Sequence, residues 1–324
     1  MNDLDYIFAV ARIRVREKSL LKDADIAQMI TMPSAEAVME HLRAQGWGEG
    51  LGEVYTPETL LSSEEAKTLA LMQELRLDPE FLLILSYPQL FHNLKAGVKE
   101  TVIEGPHPGA FFPLEDFGRE KMLKILKEKT YDQLPEALRD LAPKAFELML
   151  KTRDGQAVDM LVDRETLSAM EKAGSASSNP LFKNYLQSTV AYSDIKIAVR
   201  CRKMKKSRAF IENALAPSSL LDTKELARAA SEGEDEFYTF LRRAGYEEGA
   251  EALKTSASAF ERWCDNRLIE SLRPERTHSE SVGPVLAFYL ARMNEIKTAR
   301  IILTGKANGF SEEAIRERVR EMYV

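Results

Sequence analysis

The stretch FYLARMNEIKTAR, residues 288–300, contains a short pattern that occurs twice more in the chain. In this last copy Glu295 is followed by Ile296 and Lys297. The same order of a polar residue, an apolar residue and a lysine begins at Asp194, 101 residues earlier, and at Asn93, a further 101 residues earlier. Equal spacing favours an internal repeat over chance similarity. We therefore predict three copies of one helical unit of about 100 residues.

Neighbouring positions of the three copies agree with this interpretation. Each copy has a large side chain two positions before the polar residue and a small residue four positions after it. The large residues are Phe91, Tyr192 and Met293, the small ones are Gly97, Ala198 and Ala299, and the lysines are Lys95, Lys196 and Lys297. Only these positions align among the three copies, so the repeat is defined by this short central pattern and not by all of the about 100 residues of the unit.

The composition is that of a soluble globular protein. The 324 residues are 44% hydrophobic and 30% charged, with a net charge of −6 and a pI of about 5.5. A free nucleic-acid-binding protein usually has a basic pI, so we expect no nucleic-acid partner. The longest apolar run, Val285–Ala291, is far shorter than the roughly 20 residues that span a bilayer, so we expect no membrane span.

The N-terminus and the cysteines indicate the compartment. Asp3 and Asp5 stand at the start, with no basic segment ahead of an apolar run, so we expect no signal peptide. Cys201 and Cys264 do not form a disulfide framework and are expected to be reduced thiols in the cytosol. If such a protein works at a membrane, protein partners must hold it there.

Apolar residues recur at helical spacing along most of the chain, and we find no alternating β-branched runs, so the fold class is predicted to be all-α. Three long helices carry the repeated pattern. The first is expected to be kinked at Pro88, because proline removes a backbone donor. Breaks rich in proline, glycine or small residues at Gly105–Pro113 and Ala216–Ser218 divide the chain. The predicted lobes are residues 1–112, 113–215 and 216–324.

Motifs for catalysis, cofactors or metals are missing from the sequence. The histidines are not spaced as metal ligands usually are. The glycines of residues 46–52 do not match the spacing of a dinucleotide-binding motif, and Gly305 and Lys306 are not accompanied by the other residues of a phosphate-binding loop. The four histidines are His41, His92, His107 and His278. We therefore predict no catalytic residue, no cofactor and no metal.

Two charge clusters have two interpretations each. Six cations lie within Arg200–Arg208, where they suit a solvated helix C-terminus or a contact with an acidic partner or anionic lipid. Four acids lie within Glu232–Glu236, where carboxylates favour a helix N-terminus. A magnesium site of the kind used by all-α synthases would need a second acidic motif, which the sequence lacks.

Both ends of the chain resemble one family. The carrying residues are Tyr6 to Val15 with Leu20 and Leu21, the segment Leu90–Lys95, and a C-terminal set of Tyr289, Glu295–Lys297, Arg300–Leu303, Gly305, Lys306, Ile315, Arg316 and Tyr323. They resemble the C subunit of bacterial and archaeal V-type (A-type) ATP synthases, whose eukaryotic counterpart is the d subunit of the vacuolar ATPase.

This resemblance implies a non-catalytic rotor part, not an enzyme. Its expected fold is three similar helical lobes around a pseudo-threefold axis, forming a funnel. Its expected partners are the central-shaft subunits and the membrane rotor (proteolipid) ring, and its expected place is the cytoplasmic face of the membrane, as a peripheral subunit. Two alternatives stay open. A generic helical scaffold such as a solenoid would show repeats of about 30 to 50 residues, and an all-α enzyme would need a pocket of convergent acids or a histidine.

The lysine column is the candidate contact surface. In a threefold arrangement Lys95, Lys196 and Lys297 would form a ring of positive charge that steers an acidic shaft tip or ring loop. The alternative places these lysines in solvent on the outer wall, where lysine is most often found.

Overall fold

The computed structural model describes residues 3–103, 108–114, 116–278 and 281–324. All regular secondary structure in these residues is helical, which confirms the prediction of an all-α fold. The helices of the first half are α1 (Asp3–Glu17), α2 (Asp23–Thr31), α3 (Ala35–Ala44), α4 (Pro57–Glu74), α5 (Pro79–Leu85), α6 (Tyr87–Val102), α7 (Arg119–Glu128), α8 (Glu136–Arg139) and α9 (Leu141–Thr152). Those of the second half are α10 (Gly155–Ala176), α11 (Pro180–Lys203), α12 (Arg208–Ala214), α13 (Thr223–Glu232), α14 (Glu234–Arg243), α15 (Glu247–Thr255), α16 (Ala257–Leu272), α17 (Gly283–Ala307) and α18 (Glu312–Arg316).

The repeated pattern lies on α6, α11 and α17, as predicted. Local signals set the ends of these helices. Asn179 caps α11 by accepting a hydrogen bond from the Phe182 amide, with Pro180 at the first helical position. The predicted kink at Pro88 is instead a break at Ser86, between α5 and α6. Proline then sits in the first turn of α6, where a missing N–H costs nothing.

The chain forms two compact units. The first consists of residues 1–79 and 241–324, and the second of residues 80–240. In the first unit, α17 and α18 share a hydrophobic core with α2, α3 and α4, built on side chains such as Met29, Leu42, Leu60 and Ile302. N- and C-terminal sequence therefore folds together in that unit.

In the second unit, α6 shares its core with α7 to α10. Leu94 and Val98 of α6 belong to the same buried cluster as Leu126 of α7 and Val162 of α10. A boundary at 112/113 would cut through this cluster, and the limits of the two units, after residues 79 and 240, differ from the predicted 112 and 215. The division into three lobes, like the funnel, stays a prediction.

Candidate functional site

The polar residue of the repeated pattern is buried in all three long helices. Asn93 on α6 and Asp194 on α11 have no exposed surface, and Glu295 on α17 is 2% exposed. A buried polar group is costly unless it is hydrogen-bonded, so each must have a partner inside the protein. The pattern thus marks interior positions with a specific polar task.

That task is the same in each case: the side-chain oxygen accepts a hydrogen bond from a backbone N–H outside the helix. Asn93 accepts from Phe112 at 2.8 Å, Asp194 accepts from Ala216 at 3.0 Å, and Glu295 accepts from Leu21. These donors lie in segments that lead into α7, α13 and α2. We call Asn93, Asp194 and Glu295 the tie residues. Each of them binds a connecting segment, which leads into another helix, to one of the three long helices.

Asn93 makes its tie with a neutral amide. Its nitrogen also donates to the carbonyls of Phe112 and Phe117, each at 2.9 Å. The amide therefore uses both its acceptor and its donor, and the buried position carries no charge.

Asp194 makes the same tie under different electrostatics. The pKa of Asp194 is raised from 3.8 to about 7, and burial is the main cause. The hydrogen bond from the Ala216 N–H and the charge of Arg164 lower the pKa, whereas the charge of Glu171 raises it further. One oxygen of Asp194 and one of Glu171 are buried with no hydrogen-bond partner among the described residues. Glu171 also accepts from Ser219 at 3.2 Å, so both carboxyls hold the segment between α12 and α13.

Glu295 lies in a buried charge cluster. The Arg292 guanidinium donates to Glu295 at 2.6 Å and also to Glu64 of α4, and it lies 4.5 Å from the centre of the Trp47 ring. Glu64 accepts from the Gly48 amide at 2.6 Å. Burial raises the pKa of Glu295 to about 7, although the guanidinium favours the charged form. One arginine thus serves two buried carboxylates and joins α4 to α17.

The structure shows the surroundings of each predicted contact lysine. Lys95 lies 2.8 Å from Asp163 and 3.7 Å from Asp159, and Lys297 lies 2.5 Å from Asp265. Lys196 is half-buried and makes no ion pair with any described residue. Aspartates therefore offset the charge of two of the three lysines, which reduces the long-range field of the column. A ring made of all three stays a prediction.

The two charge clusters meet in the second unit. Arg202 from the basic run pairs with Glu234 at 3.3 Å and packs over the rings of Phe237 and Tyr238. Glu234, with Asp235 and Glu236, occupies the first turn of α14, in agreement with the helix N-terminus interpretation. Part of each cluster thus has a structural role.

The histidines have ordinary partners. His41 contacts Gln45, His92 contacts the carbonyl of Ala110, and His278 pairs with Glu275 at 3.2 Å, while His107 lies outside the described residues. Within the described ranges no group of three or more His, Cys, Asp or Glu side chains could hold a metal ion. Nor does any helix in that part of the chain have the length and apolar character to cross a membrane.

Sequence reasoning missed one surface feature, an open groove of about 530 Å³ on α17. Its lining includes Glu65 of α4, Glu261 of α16 and Phe310, which follows α17. The floor is one face of α17, formed by Met293, Lys297, Arg300, Ile301 and Thr304. The sequence did contain a signal for an open surface here. Arg300 stands at a position where the other two copies of the pattern, 101 and 202 residues earlier, have Val199 and Val98.

These observations define an all-helical protein whose long helices are fastened by buried polar side chains. The chain belongs to the ATP synthase (C/AC39) subunit family, whose model matches residues 9–318. It is 24% identical to the C subunit of the V-type sodium ATPase of Enterococcus hirae over 321 residues, which covers 96% of this chain and 97% of that one. It is also 24% identical to the C subunit of the A-type ATP synthase of Haloquadratum walsbyi over 347 residues, or 96% of each chain.

The family confirms the resemblance predicted from both ends of the sequence. The match extends through the middle of the chain, where the sequence offered only generic helices. A family of ATP synthase subunits also supports the prediction that this chain is a structural subunit and not an enzyme.

Proposed function

We propose that this chain is the non-catalytic central-stalk subunit of a V/A-type rotary ATPase, where it couples the rotor shaft to the membrane rotor ring. The observation that carries the proposal is the family match over residues 9–318, together with relatives that align over nearly their whole lengths. ATP is made or hydrolysed in other subunits of such a complex. This chain serves ATP-linked transport of protons or sodium ions by transmitting torque.

The packing suits that task. A part that carries torque must resist bending, and close-packed helices supply stiffness without any reactive group. The tie residues Asn93, Asp194 and Glu295 add directional restraints, because each fixes a connecting segment to a long helix. Similar ties 101 residues apart support the proposal of three related lobes around one axis.

The proposed partners are the central-shaft subunits on one side and the membrane ring on the other, with the protein peripheral to the cytoplasmic face. The experiment uses membranes that contain the complex. An affinity tag on this chain should recover shaft and ring subunits together, and ATP-driven ion transport should be lost when this subunit is stripped and regained when it is added back. Recovery of neither the shaft nor the ring would refute the proposal and favour a generic scaffold.

The lysine column is proposed as a contact surface within this function. The triple variant Lys95→Glu, Lys196→Glu, Lys297→Glu reverses the column and also places glutamates beside Asp163 and Asp265. The exposed pair of Lys297 is worth only about 0–1 kcal/mol, and circular dichroism would verify that the helices persist in the triple variant. Affinity for the shaft and for the isolated ring, measured at low and high salt, should fall most at low salt. Parental affinity for both at low salt would exclude the column as a contact.

A further inference from the structure

Two positions of the groove floor on α17, Met293 and Arg300, are partly exposed, whereas the positions that match them on the other two long helices are buried. Met293 and Arg300 line the groove, and the Arg300 side chain is 41% exposed. At the positions 101 and 202 residues earlier, the protein buries Tyr192, Val199, Phe91 and Val98, the most exposed of them at 6%. At these two positions α17 is therefore more open than α6 and α11 are.

The dimensions of the groove fit a helix. Its floor runs from Met293 to Thr304, eleven residues along α17, or about 16 Å at 1.5 Å per residue. Residues of α4 and α16, two helices that pack against α17, also line the groove. An amphipathic helix of about three turns can lie in such a groove and place side chains at three- and four-residue spacing along it.

The lining defines the chemistry of the occupant. Met293 and Ile301 are partly buried against the core of the first unit, and Phe310, which also lines the groove, is 46% exposed. Arg318 packs over the Phe310 ring at 5.4 Å and makes no ion pair with any described residue. An apolar ridge and a carboxylate placed to meet Arg318 would complement this surface.

We propose that the groove binds an amphipathic helix of a partner subunit, with an apolar ridge against Met293, Ile301 and Phe310 and a carboxylate on Arg318. Arg300 already bonds to Glu58 and Glu65, at 3.1 and 3.3 Å, and these bonds are easily rearranged, since pairs this exposed contribute little. This inference rests on the proposed function, because that function supplies the partner subunits.

The test is a photo-cross-link in the assembled complex. Thr304→Cys, at an exposed groove position, is labelled with a benzophenone maleimide, while Cys201 and Cys264 are buried and protected from the reagent. The matched control is Thr152→Cys on α9, which is exposed and outside the groove. We expect Thr304→Cys alone to cross-link a helical segment of a partner subunit that carries acidic residues. Cross-links of Thr304→Cys only to lipid, to another copy of this chain or to nothing would overturn the inference while the intact complex upholds the proposed function.

A second measurement tests the charge. Arg318→Glu should weaken binding of this subunit to the rest of the complex by about tenfold or more, as expected for a desolvated arginine at an interface. Arg318→Lys should retain most of the binding, because it keeps the positive charge. Circular dichroism checks that both variants fold as the parent does. Equal binding by Arg318→Glu and the parent would exclude Arg318 as the partner of a carboxylate. If the parent itself recovers no complex, the proposed function fails instead.

Discussion

Replacing Asp194 with asparagine should stabilise the protein at neutral and alkaline pH. Asp194 is fully buried, and its Oδ1 accepts the Ala216 N–H at 3.0 Å. An asparagine carbonyl can accept that bond, as Asn93 does from Phe112 at the matching position. Burial and the nearby charge of Glu171 raise the pKa of Asp194, so the site favours a neutral amide over a carboxylate. The substitution therefore keeps the tie and removes an ionisable group.

The size and sign of the effect follow from the pKa of Asp194. The folded protein raises it from 3.8 to about 7, so between these values the folded state holds a proton that the unfolded state has lost. The contribution of Asp194 to stability consequently falls as pH rises from 3.8 to 7, and stays constant above that. With about 1.4 kcal/mol for each pKa unit, the full loss is on the order of 4 kcal/mol. Asparagine does not titrate and avoids this loss.

The assay is urea unfolding of parent and Asp194→Asn at several pH values from 4 to 8.5. The variant should gain on the parent progressively up to pH 7, and the gain should level off above it. Asp194→Ala is the control that separates charge from hydrogen bonding. It leaves the Ala216 N–H without an acceptor, which costs about 1–3 kcal/mol whatever the pH. If Asp194→Asn shows no gain between pH 4 and 8.5, or is less stable than the parent at pH 8, folding does not raise the pKa of Asp194 and the reasoning fails.

Two further substitutions test the cores of the two units. Arg292→Met should lower the free energy of unfolding by about 3–5 kcal/mol at pH 8, because Glu295 stays buried without its cation and Glu64 keeps only its pair with Lys67. Burial raises the pKa of Glu295 to about 7, so the loss should shrink at pH 5, where Glu295 holds a proton, and a loss that is constant across pH would contradict this reasoning. Gly97→Leu should lower the free energy of unfolding, measured in urea, by about 1–3 kcal/mol, since even a Cβ at that position would lie 2.8 Å from the Leu126 side chain. If the variant is as stable as the parent, α6 and α7 can move apart freely.

The helices were predictable because their signals are local. Pro180 opens α11, and the Ser311 hydroxyl caps α18 by accepting the Ala314 N–H at 3.2 Å, both readable from a few neighbouring residues. The grouping of helices was not predictable in this way. Whether α6 packs on the helices before it or after it depends on which apolar faces fit each other across distant segments, as Leu94 and Leu126 do. A sequence pattern shows that a face is apolar and does not identify its partner.

The candidate site was predictable only in part, for a related reason. The repeated pattern includes Asn93, Asp194 and Glu295, which the structure shows to be buried, but the lysine column beside them drew the functional interpretation. A buried tie and an exposed contact give the same sequence signal, a polar residue at a recurrent place. Only the structure separates them, since the tie residues are at most 2% exposed while the Lys297 side chain is 46% exposed.

Differences among the copies carry more functional information than their agreement. Two columns of the long helices are apolar in the first two copies and hold an arginine in the third: Leu90, Ala191 and Arg292 form one, and Val98, Val199 and Arg300 the other. A charged residue in a core column needs an internal counter-charge or a surface that the other copies lack. Arg292 has the first, in Glu64 and Glu295, and Arg300 has the second, because it lines the open groove. At these two columns α17 thus differs from α6 and α11, and the groove proposed to bind a partner helix lies along this same helix.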